Sequence, residues 1–312
     1  MGAMASKKKA EANWLSVADP AVERLDQPAA ASGPSTRPLG GAGGKKGGPK
    51  PLLTVRMPDA QEISYTIDAD TNDNLHLVRG DFCCDLKTLK ASDIQFQSRL
   101  GQGNGGLVFK VKHKAAGGVN MAMKQINLGV SGTRSQLITE LSMYETFGDD
   151  CSHILSFFGA YIKHSSVYIA LEYMPGGSLQ DVIDIGKHDP SIPSCLSPGE
   201  LVSVMRDVLQ ALAFLEKKKV IHRDIKPSNI LLTVDGVSKV SDFGTSQLLG
   251  SDGASSCEFV GTAMFMSPER ITGQDYSFNS DVWSLGLVAY HAATGIVPYA
   301  TAESQGAIVL AE

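Results

Sequence analysis

A chain of 312 residues, 43% hydrophobic and 20% charged, is long enough to bury one large core or two smaller ones. Its net charge of -5 is uneven, because residues 1–50 carry eight Lys+Arg against four Asp+Glu, leaving the rest at -9 by subtraction. The acidic body offers no groove for nucleic acid, and no apolar run approaches the ~18–20 residues of a membrane span. Cys83, Cys84, Cys151, Cys195 and Cys257 lack metal-ligand spacing, and an odd count without a secretory signal predicts reduced thiols in the cytosol or nucleus.

Residues 1–50 combine eight Gly, five Pro and ten Ala with Trp14 as the only aromatic, a composition too poor in apolar surface to offset the entropy of ordering. They are expected to form a disordered basic tail. Residues 51–92 are an extension in which Leu53, Val55 and Met57 alternate before Pro58-Asp59, and Ile63, Tyr65 and Ile67 alternate after it, predicting a β-hairpin packed on the domain C-terminal to it. From Ile94 to Ile126 two alternating runs flank a Gly-rich turn, and a third run comes after Gly117-Gly118, predicting three strands. A helix fits Gln136 to Phe147, and two more strands fit Ile154–Ile162 and Val167–Tyr173. Ser197-Pro198-Gly199-Glu200 then opens a helix with Leu201, Met205, Val208, Leu212 and Leu215 on one face. Strands first and helices later imply an α+β fold with a small antiparallel sheet lobe (93–171) and a mostly helical lobe (172–312), hinged near Glu172–Gly177.

Gly101-Gln102-Gly103-Asn104-Gly105-Gly106-Leu107-Val108 is a G-x-G-x-x-G-x-V turn between strands, where absent side chains let backbone amides approach phosphates. By itself such a turn is more often just a tight hairpin. A dinucleotide fold would have it open a helix, and here it opens a strand. Lys124 on the third strand and Glu140, sixteen residues later on the predicted helix, suit an ammonium held on phosphates by a carboxylate. The deciding run is "VIHRDIKPSNILL" at 220–232 followed by "VSDFG" at 240–244. Asp224 can accept a hydroxyl proton, and Lys226 can steady a transferred phosphoryl group. Asn229 and Asp242 offer hard oxygen ligands to Mg²⁺. A polar loop with no chemistry would not gather a base, a cation and two metal ligands within 19 residues. His222 is expected to pack rather than to act as the base.

With these motifs in order from about Asp93 to Tyr299, the chain resembles a eukaryotic protein kinase. The resemblance implies a bilobal kinase fold using ATP and Mg²⁺, with Asp224, Lys226, Lys124 and Glu140 catalytic and Asn229 and Asp242 on the metal. It places the nucleotide at Gly101, Gln102, Gly103, Asn104, Gly105, Gly106, Val108, Ala122 and Lys124, with the backbone at Glu172 and Met174 receiving adenine behind a Leu171 gatekeeper. It further implies that Asp281 anchors the catalytic loop and that Phe243, His222 and Tyr144 stack. Lys226 and Thr262 are similar to kinases acting on Ser/Thr, dual-specificity ones included. "HRDIKPSNIL", "EYMPGGSL", "FVGT" and "MSPER" resemble the mitogen-activated protein kinase kinases, whose relatives further upstream in the same cascades are the competing subfamily. Membership would make a mitogen-activated protein kinase the substrate and an upstream kinase the activator.

Two departures stand out. Where the family receives activating phosphates, this chain has Glu258 and, by spacing, Ala254 or Asp252. The acids read either as partial phosphate mimics, native or engineered, or as solvated loop carboxylates; Ser251, Ser255 and Ser256 remain candidate phosphorylation sites. The second departure is the end at Glu312, short of the family's last helices, which implies a truncated helical lobe. It makes Glu269 a buried carboxylate without its usual Arg, at a cost on the order of 3–5 kcal/mol. That truncation keeps a second reading open, a nucleotide-binding pseudokinase or scaffold. In the tail, Gly2 and Ser6 fit a myristoylation pattern beside Lys7-Lys8-Lys9, as a cloning remnant also would. Lys7–Lys9 with Leu15-Ser16-Val17, and more weakly Lys45-Lys46 with Leu53-Thr54-Val55, resemble docking peptides or are simply solvated. The expected location is cytoplasmic, with nuclear or membrane-associated locations as additional options.

Overall fold

A computed structural model describes the backbone of 53–55, 65–69, 75–79 and 82–85, and residues 89–103, 106–129, 133–147, 149–188, 195–249 and 263–299. The tail with Gly2 and its docking-like peptides, Met57, Pro58, Asp59 and Ile63, Asn104 and Gly105, the 250–262 segment with Asp252, Ala254, Glu258 and Thr262, and the end 300–312 lie outside the described residues.

Strands β1 (Leu53–Val55), β2 (Tyr65–Ala69), β3 (Leu75–Arg79) and β4 (Phe82–Asp85) form one antiparallel sheet in chain order. Its first pairing sets Leu53 opposite Ile67 and Val55 opposite Tyr65. The sheet runs two strands beyond the anticipated hairpin, with β2 paired to β3 and β3 to β4.

The second sheet holds β5 (Ile94–Gly103), β6 (Gly106–His113), β7 (Val119–Asn127), β8 (Phe157–Lys163) and β9 (Ser166–Glu172), all antiparallel in the order β5-β6-β7-β9-β8. The period-2 alternation of central β7 divides its residues between two cores. Met121 and Met123 join Ile94, Val111, Tyr161 and Ala170 on one face, whereas Ala122 and Ile126 face the main core. That parity puts Lys124 on the same side as Ala122. Helix α1 (Thr133–Phe147) starts three residues before the predicted Gln136, since Thr133, Arg134 and Ser135 carry no apolar signal. β8 starts at Phe157 rather than Ile154. Ile154 instead bridges Val240, and Leu155 N–H donates to the Val240 carbonyl at 3.0 Å, so the apolar run is shared between the two lobes.

The second lobe adds α2 (Leu179–His188), α3 (Pro198–Lys217), the pairs β10 (Val220–Ile221) with β13 (Gln247–Leu248) and β11 (Ile230–Leu232) with β12 (Ser238–Val240), then α4 (Pro268–Ile271) and α5 (Asn279–Thr294). The capping box at the head of α3 is formed, with Ser197 Oγ accepting from Glu200 N–H and Glu200 Oε2 accepting from Ser197 N–H at 2.9 Å. One apolar core runs from Ala122 and Ile126 through Leu141 and Tyr144 to Phe243, Val208 and Val288. The architecture is the expected bilobal α+β kinase fold.

Glu269 corrects one expectation. It is half-buried, and its Oε1 accepts the Ser280 hydroxyl at 2.7 Å. Partial burial works against its charge, but hydrogen bonding, that from Ser280 foremost, together with the charge of Arg270 outweighs it and holds the carboxyl below its usual range. The cost foreseen for a buried, unsatisfied carboxylate does not arise.

Candidate active site

Lys124 and Glu140 meet because β7 and α1 present them to the same core. Lys124 Nζ donates to both carboxylate oxygens of Glu140, at 2.9 and 2.8 Å, and to Asp242 Oδ1 at 3.0 Å. Burial disfavours the ammonium, yet Glu140 and Asp242 outweigh it and raise its pKa above the ordinary lysine value. Burial pushes the Glu140 carboxyl up against the pull of Lys124. For Asp242 burial acts in the same sense, but Lys124 prevails and lowers it. The next residue, Phe243, is fully buried, its ring 5.0 Å from His222 and 5.8 Å from Tyr144. Phe157 extends this stack, lying parallel to Tyr144 at 5.0 Å.

The loop after β10 is pinned by Asp281, which accepts the backbone N–H groups of His222 at 2.7 Å and Arg223 at 2.9 Å. His222 Nδ1 accepts the Asp224 N–H at 3.2 Å, so its proton sits on Nε2, 3.0 Å from the Ser241 carbonyl. That imidazole is spent on holding the loop. Asp224 faces Lys226 Nζ at 2.7 Å, and Asn229 Nδ2 donates to its Oδ2 at 3.0 Å and its carbonyl at 2.8 Å. With its amide nitrogen so engaged, Asn229 keeps its amide oxygen for a cation. Register then supplies the second ligand, because Ile230 pairs with Val240 and Ser241 N–H donates to the Asn229 carbonyl at 2.9 Å, bringing Asn229 and Asp242 to the same end of the β11–β12 hairpin.

Asn229 and Asp242 are hard oxygen donors, and among the described residues no group of three or more His, Cys, Asp or Glu could hold a metal. Two protein oxygens, completed by phosphate and water, suit Mg²⁺ better than Zn²⁺ or a caged Ca²⁺. The Gly-rich turn fits a phosphate chain. A Cβ at Gly106, whose φ is +136°, would stand 2.0 Å from the Gln125 carbonyl oxygen, so the fold itself demands glycine there. A Cβ at Gly101 would meet nothing within 4 Å, so packing does not account for that glycine. Gln102 Oε1 accepts from Arg99 Nη2 at 2.7 Å. Val108 is half-buried beside the core that holds Ala122, Leu171 and Met174. Asn104 and Gly105 lie outside the described residues.

Sequence reasoning passed over several partners. Lys239 Nζ lies 2.7 Å from Glu172 Oε2, tying β12 to the hinge; Leu231 on β11 is half-buried against the same core as Val108; Tyr276 touches two arginines. Each partner is distant in sequence, so only the fold reveals the pairing. Two cavities of about 450 and 550 Å³ flank α3, away from all these residues.

Comparison with known proteins agrees with this geometry. The model of the protein kinase domain matches residues 94–311. The chain is 38% identical over 213 residues to mitogen-activated protein kinase kinase 1c of Physcomitrium patens, covering 68% of this chain and 59% of that protein. It is 40% identical over 218 residues to dual specificity mitogen-activated protein kinase kinase 1 of Dictyostelium discoideum, covering 69% and 31%. To mitogen-activated protein kinase kinase SIPKK of Nicotiana tabacum it is 38% identical over 210 residues, covering 67% and 56%. The match thus spans from about a third to three fifths of these relatives' own lengths. The chain belongs to the protein kinase family, and within it resembles the mitogen-activated protein kinase kinases.

Proposed function

We propose that this protein transfers the γ-phosphoryl group of Mg·ATP to Ser/Thr and Tyr hydroxyls of a protein substrate, a mitogen-activated protein kinase. The observation that carries the reading is Lys124 clasped between Glu140 and Asp242 at 2.8–3.0 Å with Phe243 buried behind them. Lys124 then grips the nucleotide's phosphates and Glu140 keeps it in place. The half-buried apolar surfaces of Val108 and Leu231 suit the faces of adenine. A magnesium ion held by Asn229 and Asp242 would neutralise charge on the phosphates. Asp224 orients the substrate hydroxyl and takes its proton as oxygen attacks the γ-phosphorus and the bond to the β-phosphate oxygen breaks, releasing ADP. Lys226, 2.7 Å from Asp224, steadies the moving phosphoryl group.

The assembled ion pairs favour catalysis over a scaffold that only binds nucleotide, since a scaffold has no need for Asp224 and Lys226 in contact. The relatives' names support the substrate class, and that of the Dictyostelium protein includes dual specificity. An upstream kinase acting on Ser251, Ser255 or Ser256 would be the activator, with Asp252 and Glu258 supplying part of the needed charge.

Two variants test the division of labour. Asp224→Asn should retain ATP affinity while phosphoryl transfer to a kinase-dead substrate falls roughly 10²–10⁴-fold. Lys124→Met should lose ATP affinity as well. Equal losses of affinity in the two variants would refute the separate roles.

A further inference from the structure

Arg223, directly before Asp224, adopts φ +70°, a left-handed conformation that non-glycine residues hold only when their surroundings enforce it. Four groups enforce it here. Asp281 takes its backbone N–H. The guanidinium donates through Nε to the Thr245 carbonyl and through Nη1 to Gln247 Oε1 at 2.9 Å and to the Tyr276 hydroxyl at 3.2 Å. Thr245 and Gln247 belong to the stretch just after Asp242-Phe243-Gly244. Tyr276 comes from the connection between α4 and α5, is buried, and packs with Ile221, Leu249 and Phe278. Its ring also lies 5.3 Å below the guanidinium of Arg270, a buried residue of α4. One tyrosine therefore holds the catalytic loop with its hydroxyl and the α4 segment with its ring.

We propose that Tyr276 is a positioning residue for phosphoryl transfer. Its hydroxyl fixes Arg223, and through it the backbone that aims Asp224. Its ring contact with Arg270 couples that aim to the segment carrying Ser267-Pro268-Glu269. Tyr276 is thus an anchor for Arg223 outside the stretch just after Asp242-Phe243-Gly244. The inference rests on Asp224 being the base, as proposed above.

Tyr276→Phe removes the hydroxyl and keeps the ring, its packing and the Arg270 contact, so the variant should fold with a Tm within about 2 °C of the native chain. In the native 312-residue chain the amides of Arg223 and Asp224 are hydrogen-bonded to Asp281 and His222, so their hydrogen exchange reports the loop directly, whatever the activity. The variant should exchange faster at 222–225 and nowhere else. Its kcat should fall roughly five- to tenfold with KM for ATP unchanged. Arg270→Gln, which removes the cation from the ring, should produce a smaller change of the same kind. Unchanged exchange at 222–225 would overturn the proposal. So would faster exchange throughout the chain with a matching fall in Tm, the mark of a purely structural residue. Asp224→Asn measured alongside separates the two readings. Native transfer rates in that variant would remove Asp224 as the base, whereas loss of transfer there with native kcat in Tyr276→Phe would sink only the role given to Tyr276.

Discussion

At Glu269 the half-buried carboxylate takes the Ser280 hydroxyl at 2.7 Å and lies below its usual pKa range, so the charge contributes to stability in the folded chain. By linkage, a carboxyl lowered on folding contributes stability above its unfolded value of about 4.3, and that contribution is lost as pH falls through the lower folded value. Glu269→Gln should therefore lower Tm at pH 7, by the equivalent of about 1 kcal/mol or less at so accessible a site, with the gap closing toward pH 3. Calorimetry of both proteins from pH 7 to pH 3 measures it. A variant more stable than the native chain at pH 7 would restore the picture of an unsatisfied charge. The rest of the site divides by what a residue type alone can reveal. Lys124, Asp224, Asn229 and Asp242 could be singled out because few residues can clamp phosphate, take a proton or bind Mg²⁺, and their order along the chain is restrictive. Glu172 with Lys239 and Arg223 with Tyr276 were illegible, because an acid or a phenol alone carries no sign of a partner 67 or 53 residues away.

Among the elements, the Gly-rich hairpin contains two glycines of opposite kind. Gly106 sits at φ +136° with no room for a Cβ against the Gln125 carbonyl, whereas Gly101 faces open space. Gly106→Ala should force β6 away from β7, lowering Tm and ATP affinity together. Gly101→Ala should leave stability within about 0.5 kcal/mol of native while weakening ATP binding, because the added methyl meets ligand rather than protein. Thermal melts and nucleotide titrations of both variants test the contrast, and unaltered ATP affinity in Gly101→Ala would exclude contact between nucleotide and this turn. Element boundaries were legible wherever local chemistry sets them. The capping box placed the start of α3, and alternation placed β5, β6 and β7. They were illegible where a tertiary contact decides, as at Ile154, whose apolar run belongs partly to β12. Strands β3 and β4 are a different failure, since Asn72-Asp73-Asn74 and Gly80-Asp81 are turn signals that sequence alone supplied.

For the whole molecule, the proposed nucleotide site draws on both lobes. Lys124, Val108 and the Gly-rich turn come from the five-stranded sheet, while Asn229, Leu231 and Asp242 come from the β11–β12 hairpin and the residues flanking it. Lys124 and Asp242 join the two lobes at 3.0 Å, so an ion pair registers them at the place where phosphate and metal are proposed to bind. Nucleotide binding should therefore act as a second brace between the lobes. Mg·ATP at a hundred times its Kd should stabilise the fold by about 2.7 kcal/mol, a rise in Tm of roughly 5–10 °C for a domain of this size. Chelating Mg²⁺ should reduce the increment, because two negative groups, Asp242 and the phosphates, would then face each other with only Lys124 between them. Asp242→Asn removes the carboxylate and should make the ATP increment nearly independent of Mg²⁺. Lys124→Met should abolish most of it in either condition. These melts, three proteins each with and without Mg²⁺, separate the two ends of the brace, and equal ATP increments with and without Mg²⁺ in the native chain would remove Asn229 and Asp242 as metal ligands.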